Sequence, residues 1–203
     1  MEVVSFSADQ LALIKDLCGA EPCAPSAWAE DSVKDLKATI KSHYIHAQAT
    51  TCCYCQRHLA SENHRVWDID HVVPRSTHPR FMFEPLNLVA CCPDCNRAKK
   101  DQRVLKNNRR KKYPTKSTDF LILHPHFDEY ADHIFRQQHV YLGKTEKGKR
   151  TIYVCDLLRF AQKYIAWPNA ITDSRFESEV DVIVAGGSDG AAAVQQIARS
   201  LQI

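Results

Sequence analysis

Two pairs of closely spaced cysteines constrain the fold of this chain more than any other feature of its sequence. The segments Cys52-Cys-Tyr-Cys55 and Cys92-Pro-Asp-Cys95 each place two thiols three positions apart, and residues 56–91 separate the pairs. Two such turns can supply four thiolates to one tetrahedral zinc ion, in a closed site that leaves no room for a substrate. We therefore predict a structural zinc held by Cys52, Cys55, Cys92 and Cys95, with a folded insert between the pairs.

The neighbouring cysteines leave an alternative open, because Cys53 and Cys91 adjoin the two pairs and shift the register of the ligands. Two-residue spacing favours the first set, since both sulfurs of a pair then converge in one tight turn. Four free buried thiols are the other alternative. We expect Cys18, Cys23 and Cys155 to be ordinary buried or surface residues, because they show no such arrangement.

The length and composition predict a chain with one sizeable core. It has 203 residues, of which 44% are hydrophobic and 25% charged. We find no apolar stretch near the roughly 20 residues that a membrane helix needs, and the first ten residues lack the features of a signal peptide. The sequence therefore predicts a cytoplasmic protein without a membrane span, in which paired cysteines bind metal instead of forming disulfides.

Positive charge is concentrated in one segment, residues 97–116. It holds ten Lys or Arg against one acid, Asp101, and so carries +9, whereas the net charge of +3 leaves −6 for the rest of the chain. Such asymmetry favours local contact with a polyanion, and a solvated charged surface is the alternative. The candidate phosphate contacts are Arg75, Arg97, Lys99, Lys100, Arg109, Arg110, Lys111 and Lys112.

Hydrophobic periodicity and turn residues predict the order of the elements. Helices are expected over 8–18, 33–47 and from Pro93 onward, with short strands within 66–73 and 86–91. Downstream, the patterns predict strands at 120–124, 140–142, 151–154 and 180–185, a charged turn at 143–149, a glycine-rich turn at 186–190, and helices at 156–164 and 191–201.

Three polar motifs lie between and beside the cysteine pairs: Asp70-His71, Asn87 before an apolar residue, and Asn96 directly after a cysteine. Together with the cysteines, they resemble the HNH, or ββα-metal, endonuclease family over residues 52–101. The resemblance implies hydrolysis of phosphodiester bonds in nucleic acid. Its last motif residue is here an asparagine where the best-known pattern has histidine.

The chemistry of hydrolysis suggests roles for the residues of these motifs. Histidine has a pKa near 6.5 and suits a general base, so we expect His71 to accept the proton of the attacking water. Asp70 points to the opposite face of a strand and can bind a metal. The resemblance implies that Asn96 completes the protein ligands of a single ion, that Mg²⁺ or Mn²⁺ is preferred, and that Asn87 fixes the loop that orients His71. Asp68 shares the face of Asp70.

The resemblance implies an α+β fold with a ββα-metal core and a structural zinc. We expect an N-terminal helical segment at 1–50, the nuclease core with its basic helix at 51–116, and an α/β extension at 117–203 that is a candidate for binding a partner.

A second, looser resemblance comes from the segments His124-Pro-His-Phe-Asp128, His133-Ile-Phe135 and 147–152. They look similar to HNH proteins encoded beside ATPases in prokaryotic defence systems such as Septu, and this implies an antiviral role and an ATPase partner. The segment 186–190 lacks the lysine and spacing of a phosphate-binding loop, so ATP dependence would belong to that partner.

A different class of function is a zinc-stapled module that binds nucleic acid without cutting it. Such a module needs the cysteines and the basic segment but has no use for Asp70 and His71, which favours the nuclease. DNA is the favoured substrate on family grounds, and the sequence leaves RNA open.

Overall fold

In the described part of the chain, helices combine with two small antiparallel sheets, which confirms the α+β class. The computed structural model describes residues 1–19, 23–165, 182–183 and 189–200. These residues group into two units, Met1–Asp128 and Glu129–Ile203. The first unit contains α1 (Ala8–Cys18), α2 (Lys34–Ala47), β1 (Asp68–His71), β2 (Leu88–Cys91) and α3 (Pro93–Lys99).

The two strands of the first unit form a short antiparallel sheet on which α2 packs. In this sheet, Asp68 of β1 lies opposite Cys91 of β2, and His71 lies opposite Leu88. At the end of α2, the Gln48 side chain donates to the carbonyl of Ala90 at 2.7 Å and accepts from its amide at 2.9 Å, so it completes the hydrogen bonding on one edge of β2. The predicted order of strand, loop, strand and helix is confirmed.

The four cysteines of the two C-x-x-C pairs lie together where this sheet meets α3. One pair precedes β1, and in the other Cys92 directly follows β2 and Cys95 lies in the first turn of α3. Their sulfurs are within 4.8 Å of one another and all four residues are buried. Tetrahedral zinc with bonds of about 2.3 Å requires sulfurs about 3.8 Å apart, so this cluster fits zinc.

The electrostatics of the sulfur cluster also favour a bound cation. Hydrogen bonding to the Cys52 sulfur and the negative charge there raise the pKa of Cys55 and Cys95 well above the ordinary thiol value. Neighbouring thiolates repel one another, and a metal ion between them relieves that repulsion. Cys53 and Cys91 are buried outside the cluster, which decides the register.

The cysteines outside these pairs differ from the expectation in one respect. Cys18 and Cys23 form a disulfide across five positions, so they are not ordinary unpaired residues as we expected. Cys155 is buried.

The segment that follows α3 folds back on itself. The Leu121 amide donates to the Val104 carbonyl at 2.7 Å, and this backbone hydrogen bond holds the two arms of the segment together. The predicted strand at 120–124 is wrong, because only Phe120 forms a bridge, with Leu105, before the chain turns.

The second unit contains α4 (Tyr130–His133), β3 (Ile134–Gln137), β4 (Val140–Gly143), α5 (Glu146–Val154), α6 (Arg159–Ile165) and α7 (Gly190–Ser200). β3 pairs antiparallel with β4. β4, α6 and α7 match the expected strand at 140–142 and helices at 156–164 and 191–201. Of the predicted strand at 180–185 only 182–183 is described, and that pair is helical; most of the glycine-rich turn at 186–190 lies outside the described residues.

The predicted charged turn and strand over 143–154 are wrong, because most of that stretch is α5. Thr145 caps this helix by accepting from the Gly148 amide at 3.1 Å. A Cβ at Gly148 would lie 1.9 Å from the carbonyl oxygen of His133, so only glycine lets the helix approach this closely. The cap and the burial of Thr151 and Ile152 on one face outweigh the β-branched composition that predicted a strand.

Two helices end in the same unusual backbone conformation, but with different residues. α1 ends at Gly19, with φ 43° and ψ −136°, and α3 ends at Lys100, with φ 46° and ψ −129°. This region is favourable for glycine and costs an L side chain on the order of 1–3 kcal/mol. The end of α3 is therefore strained.

We expect Lys100→Gly to stabilise the protein by about 1 kcal/mol, since the relief of strain exceeds the entropy that glycine adds to the unfolded chain. Lys100→Ala, which removes the same side chain but keeps the strain, is the matched control. Urea unfolding of both variants measures the difference. Equal stability of the glycine and alanine variants would contradict the argument.

The sulfur cluster predicts one tightly held zinc per chain, whose loss unfolds the first unit. Cys95→Ser should abolish zinc in elemental analysis and lower the melting temperature, because zinc binding stabilises such small modules by on the order of 10 kcal/mol. Cys53→Ala, next to a ligand but outside the cluster, should retain the zinc. A Cys95→Ser protein that keeps its fold and loses only activity would argue against a structural site.

Candidate active site

The two faces of β1 separate the sequence-predicted site residues. Successive side chains of a strand point to opposite faces, so Asp68 and Asp70 face α3 whereas His71 faces the loop between the strands. On α3, Asn96 and Lys99 are three positions apart and therefore share the helix face that meets β1. The result is two cross-element contacts, one for each aspartate.

The carboxylate of Asp70 is buried and fully engaged. Lys99 Nζ donates to its Oδ1 at 3.0 Å and lies 3.0 Å from Oδ2, and the Tyr54 hydroxyl donates to Oδ2 at 2.5 Å. Burial raises the pKa of Asp70, and the positive charge of Lys99 opposes that shift. Asp70 thus already has a cation beside it.

The other aspartate of this face binds the asparagine of the third motif. Asn96 Nδ2 donates to Oδ2 of Asp68 at 2.9 Å, and both residues are partly exposed. Carboxylate and amide oxygens are the hard ligands that Mg²⁺ and Mn²⁺ prefer. Asp68, Asp70 and Asn96 therefore offer a donor set that fits such an ion.

His71 lies on the opposite face with a defined tautomer. Its Nε2 is 3.0 Å from the carbonyl oxygen of Met82, and a carbonyl only accepts, so Nε2 carries the hydrogen and Nδ1 is the basic nitrogen. Burial, together with the charges of Lys99 and Arg75, lowers the pKa of His71 to about 3. His71 is therefore neutral near pH 7, with the lone pair of Nδ1 not taken up by the bond to Met82.

Asn87 fastens both ends of the loop that positions His71. Its Oδ1 accepts from the Val73 amide at 2.7 Å, and its Nδ2 donates to the carbonyls of Val73 at 3.1 Å and Phe81 at 2.8 Å. Phe81 precedes Met82, which accepts from His71. The fully buried Asn87 side chain thus holds the carbonyl that orients the imidazole.

Most of the basic residues lie on the surface, and one does not. Arg97, Lys100, Arg109, Lys111 and Lys112 are exposed. Two further candidates are partly exposed and already bonded: Arg75 donates to the Pro25 carbonyl at 2.8 Å, and Arg110 pairs with Asp119 at 2.5 Å.

Lys99 corrects the expectation of a phosphate contact at that position. It has no exposed surface. Because its ammonium is held by Asp70 inside the protein, it cannot reach a phosphate on the outside. The burial of Lys99 could not be predicted from the sequence, because this residue lies among other basic residues in a strongly positive segment.

The His124-Pro-His-Phe-Asp128 segment closes the basic segment onto the sheet. Asp128 Oδ2 accepts from the His124 amide at 2.7 Å, His124 Nε2 is 2.8 Å from the Tyr113 hydroxyl, and His126 Nε2 donates to the Leu88 carbonyl at 3.0 Å. These side chains therefore have structural partners in the first unit.

Sequence reasoning missed two residues of the site. Tyr54, inside the first cysteine pair, donates to Asp70, and Trp28 packs edge-on against His71 with ring centroids 4.5 Å apart. Neither contact has a local signal, because 16 and 43 positions separate the partners along the chain.

Comparison with known proteins finds similarity over the part of the chain that holds these motifs. Residues 52–102 match the HNH endonuclease family. The chain is 28% identical over 121 residues to Septu protein PtuB of Bacillus thuringiensis, covering 60% of this chain and 42% of that protein. It is 27% identical over 115 residues to protein ea31 of Escherichia phage lambda, covering 55% and 33%.

The chain therefore spans less than half the length of the two relatives, and no solved structure matches it. In the part of the chain that the structure describes, no helix is long and apolar enough to cross a membrane. The cysteine cluster, the Asp70-His71 pair, Asn87 and Asn96 all fall inside the matched range. Residues 52–102 of this chain are therefore similar to the HNH endonuclease family.

Proposed function

We propose that this chain is a metal-dependent HNH endonuclease that hydrolyses phosphodiester bonds in nucleic acid, with DNA as the favoured substrate. The observation that carries the proposal is the state of His71. Its Nε2–H is fixed by Met82, and its neutral imidazole keeps Nδ1 for the proton of an attacking water. A module that only binds nucleic acid has no use for a histidine held in this way.

Asp70 and Asn96 are the proposed protein ligands of the catalytic ion, Mg²⁺ or Mn²⁺, and Asp68 lies beside Asn96. Such an ion supplies positive charge that stabilises the phosphate as its charge grows during hydrolysis. The fit rests on their hard oxygen donors. The zinc cysteines stand apart from this chemistry, because their sulfurs form a closed structural cluster.

The exposed part of the basic segment is the proposed contact surface for the phosphate backbone. Two hydrogen bonds hold the part of this segment around residues 108–111 in place. The His78 side chain donates to the Asn108 carbonyl at 2.9 Å, and Arg80 donates to the Lys111 carbonyl at 3.2 Å. A fixed loop presents its charges at a constant position. The exposed members are Arg97, Lys100, Arg109, Lys111 and Lys112.

We extend the proposal to a role in prokaryotic antiviral defence with an ATPase partner. The sequence match to Septu protein PtuB supports it. The segment 117–203, which lies outside the family match, is the proposed place for partner binding. Co-purification of the tagged chain with an ATPase from cells that express it tests this part of the proposal.

The roles of base and ligand predict two different defects. His71→Ala should slow cleavage by about 10²- to 10⁴-fold, as removal of a general base does, while zinc content and affinity for DNA stay unchanged. Asn96→Ala should instead raise the Mg²⁺ concentration needed for half-maximal rate, and Asn96→His should recover part of the rate and favour softer ions.

Cleavage of plasmid, linear and single-stranded substrates against Mg²⁺ and Mn²⁺ concentration, with EDTA as the blank, measures both defects. The assignment of roles fails if excess Mg²⁺ restores His71→Ala as readily as Asn96→Ala. A wild-type protein that binds DNA and never cuts it would leave the binding module as the better description.

The basic surface predicts salt-dependent binding. Neutralising Lys111 and Lys112 together should weaken DNA binding and lower the slope of log affinity against log salt by about 0.9 for each duplex phosphate that these lysines neutralise. Lys15→Gln with Lys34→Gln makes the same charge change on exposed residues of α1 and α2 and is the control. If both double variants show the wild-type slope, the segment is a solvated surface.

A further inference from the structure

Lys99 is a lysine without exposed surface at the centre of the candidate active site. Its Nζ lies 3.0 Å from each carboxylate oxygen of Asp70 and donates to the main-chain carbonyl of His71 at 2.7 Å. An ammonium has three hydrogens to donate, and these contacts take them up. A buried ammonium is tolerated only with such partners.

We propose that Lys99 is a positioning residue of the nuclease, which holds the Asp70 side chain and the His71 main chain in their working arrangement. The inference rests on the proposed function, since it gives Lys99 a part in the same site. It replaces the phosphate contact that the sequence suggested.

The hydrogen-bond pattern of the sheet explains why the main-chain carbonyl of His71 needs a donor from outside the sheet. The Val72 amide donates to the Asn87 carbonyl at 2.8 Å, so the adjacent pair, His71 and Leu88, direct their carbonyls away from each other. His126 donates to the Leu88 carbonyl. In the same way, Lys99 donates to the His71 carbonyl.

From α3, the Lys99 side chain contacts both catalytic candidates of β1, Asp70 and His71. Asp70 and His71 point to opposite faces of β1, so a side chain that contacts only one face fixes only one of them. Lys99 binds the side chain of Asp70 and the main-chain carbonyl of the next residue, His71. Its own place is set by α3, which begins at the cysteine cluster and ends at Lys99.

The test uses Lys99→Met in the full, zinc-loaded chain, because methionine keeps the apolar stem and removes the charge. Single-turnover cleavage should fall by about a hundredfold, the usual effect of a small misplacement of reacting groups. Affinity for a labelled duplex in EDTA, and its salt dependence, should not change. Mn²⁺ binding to the substrate-free protein, followed by electron paramagnetic resonance, should tighten at least about tenfold, because no ammonium competes at Asp70.

Two results would overturn the proposal. Weaker duplex binding with a flatter salt dependence would make Lys99 a phosphate contact. A lower melting temperature with unchanged Mn²⁺ affinity and unchanged rate per folded molecule would make it purely structural. Lys34→Met, at an exposed lysine paired with Asp31, is the matched control and should leave every measurement at the wild-type value.

Further variants keep the test decisive if Lys99→Met does not fold. Lys99→Arg keeps the charge and should fold, but its planar guanidinium should not reproduce both contacts, so a wild-type rate would count against the proposal. Asp70→Asn with Lys99→Met removes both buried charges and avoids leaving one unpaired. In this double variant Mn²⁺ should bind no more tightly than in the wild type, because the carboxylate is lost together with the ammonium.

The proposal and the proposed function fail in different ways. If the wild-type protein cuts no substrate, the nuclease assignment is wrong, and the Mn²⁺ comparison still decides whether Lys99 controls the charge at Asp70. If the wild type cuts and Lys99→Met cuts equally fast, only the positioning role is wrong.

Discussion

The convergence of four buried sulfurs is the constraint on which the site depends. It joins the turn before β1 to the end of β2 and the first turn of α3, although residues 56–91 separate the two cysteine pairs. α3 has only seven residues, and a helix of this length needs tertiary contacts to persist. With its first turn fixed at Cys95, the face that carries Asn96 and Lys99 is directed at β1.

That fixed helix explains how one short strand serves two chemical tasks. Asp68 and Asp70 meet α3 on one face of β1, where charge and hard oxygen ligands are gathered. On the other face, His71 is neutral and its orientation is held by Met82 and, through the loop, by Asn87. The alternation of a strand thus separates the proposed metal ligands from the proposed base by a single peptide unit.

Much of this arrangement could be predicted from sequence, because its signals are local or carried by spacing. The capping box at Ser7, the helical period through Leu36 and Ile40, and the spacing of the cysteine pairs each report a local geometry. The prediction of a strand over 151–154 was wrong because it rested on a local signal alone. There, β-branched residues gave a local preference, and the Thr145 cap and tertiary burial overrode it.

Lys99 shows why the remaining part could not be predicted. By composition it belongs to the segment of +9 charge, and nothing in its neighbours distinguishes it from Lys100. Its burial follows from three facts that no local pattern contains: α3 lies on β1, Asp70 needs a counter-charge once buried, and the carbonyl of His71 points away from β2. Charge patterning in the sequence treats all lysines of this segment alike. In the fold, one of them is buried because Asp70 and the His71 carbonyl need a partner.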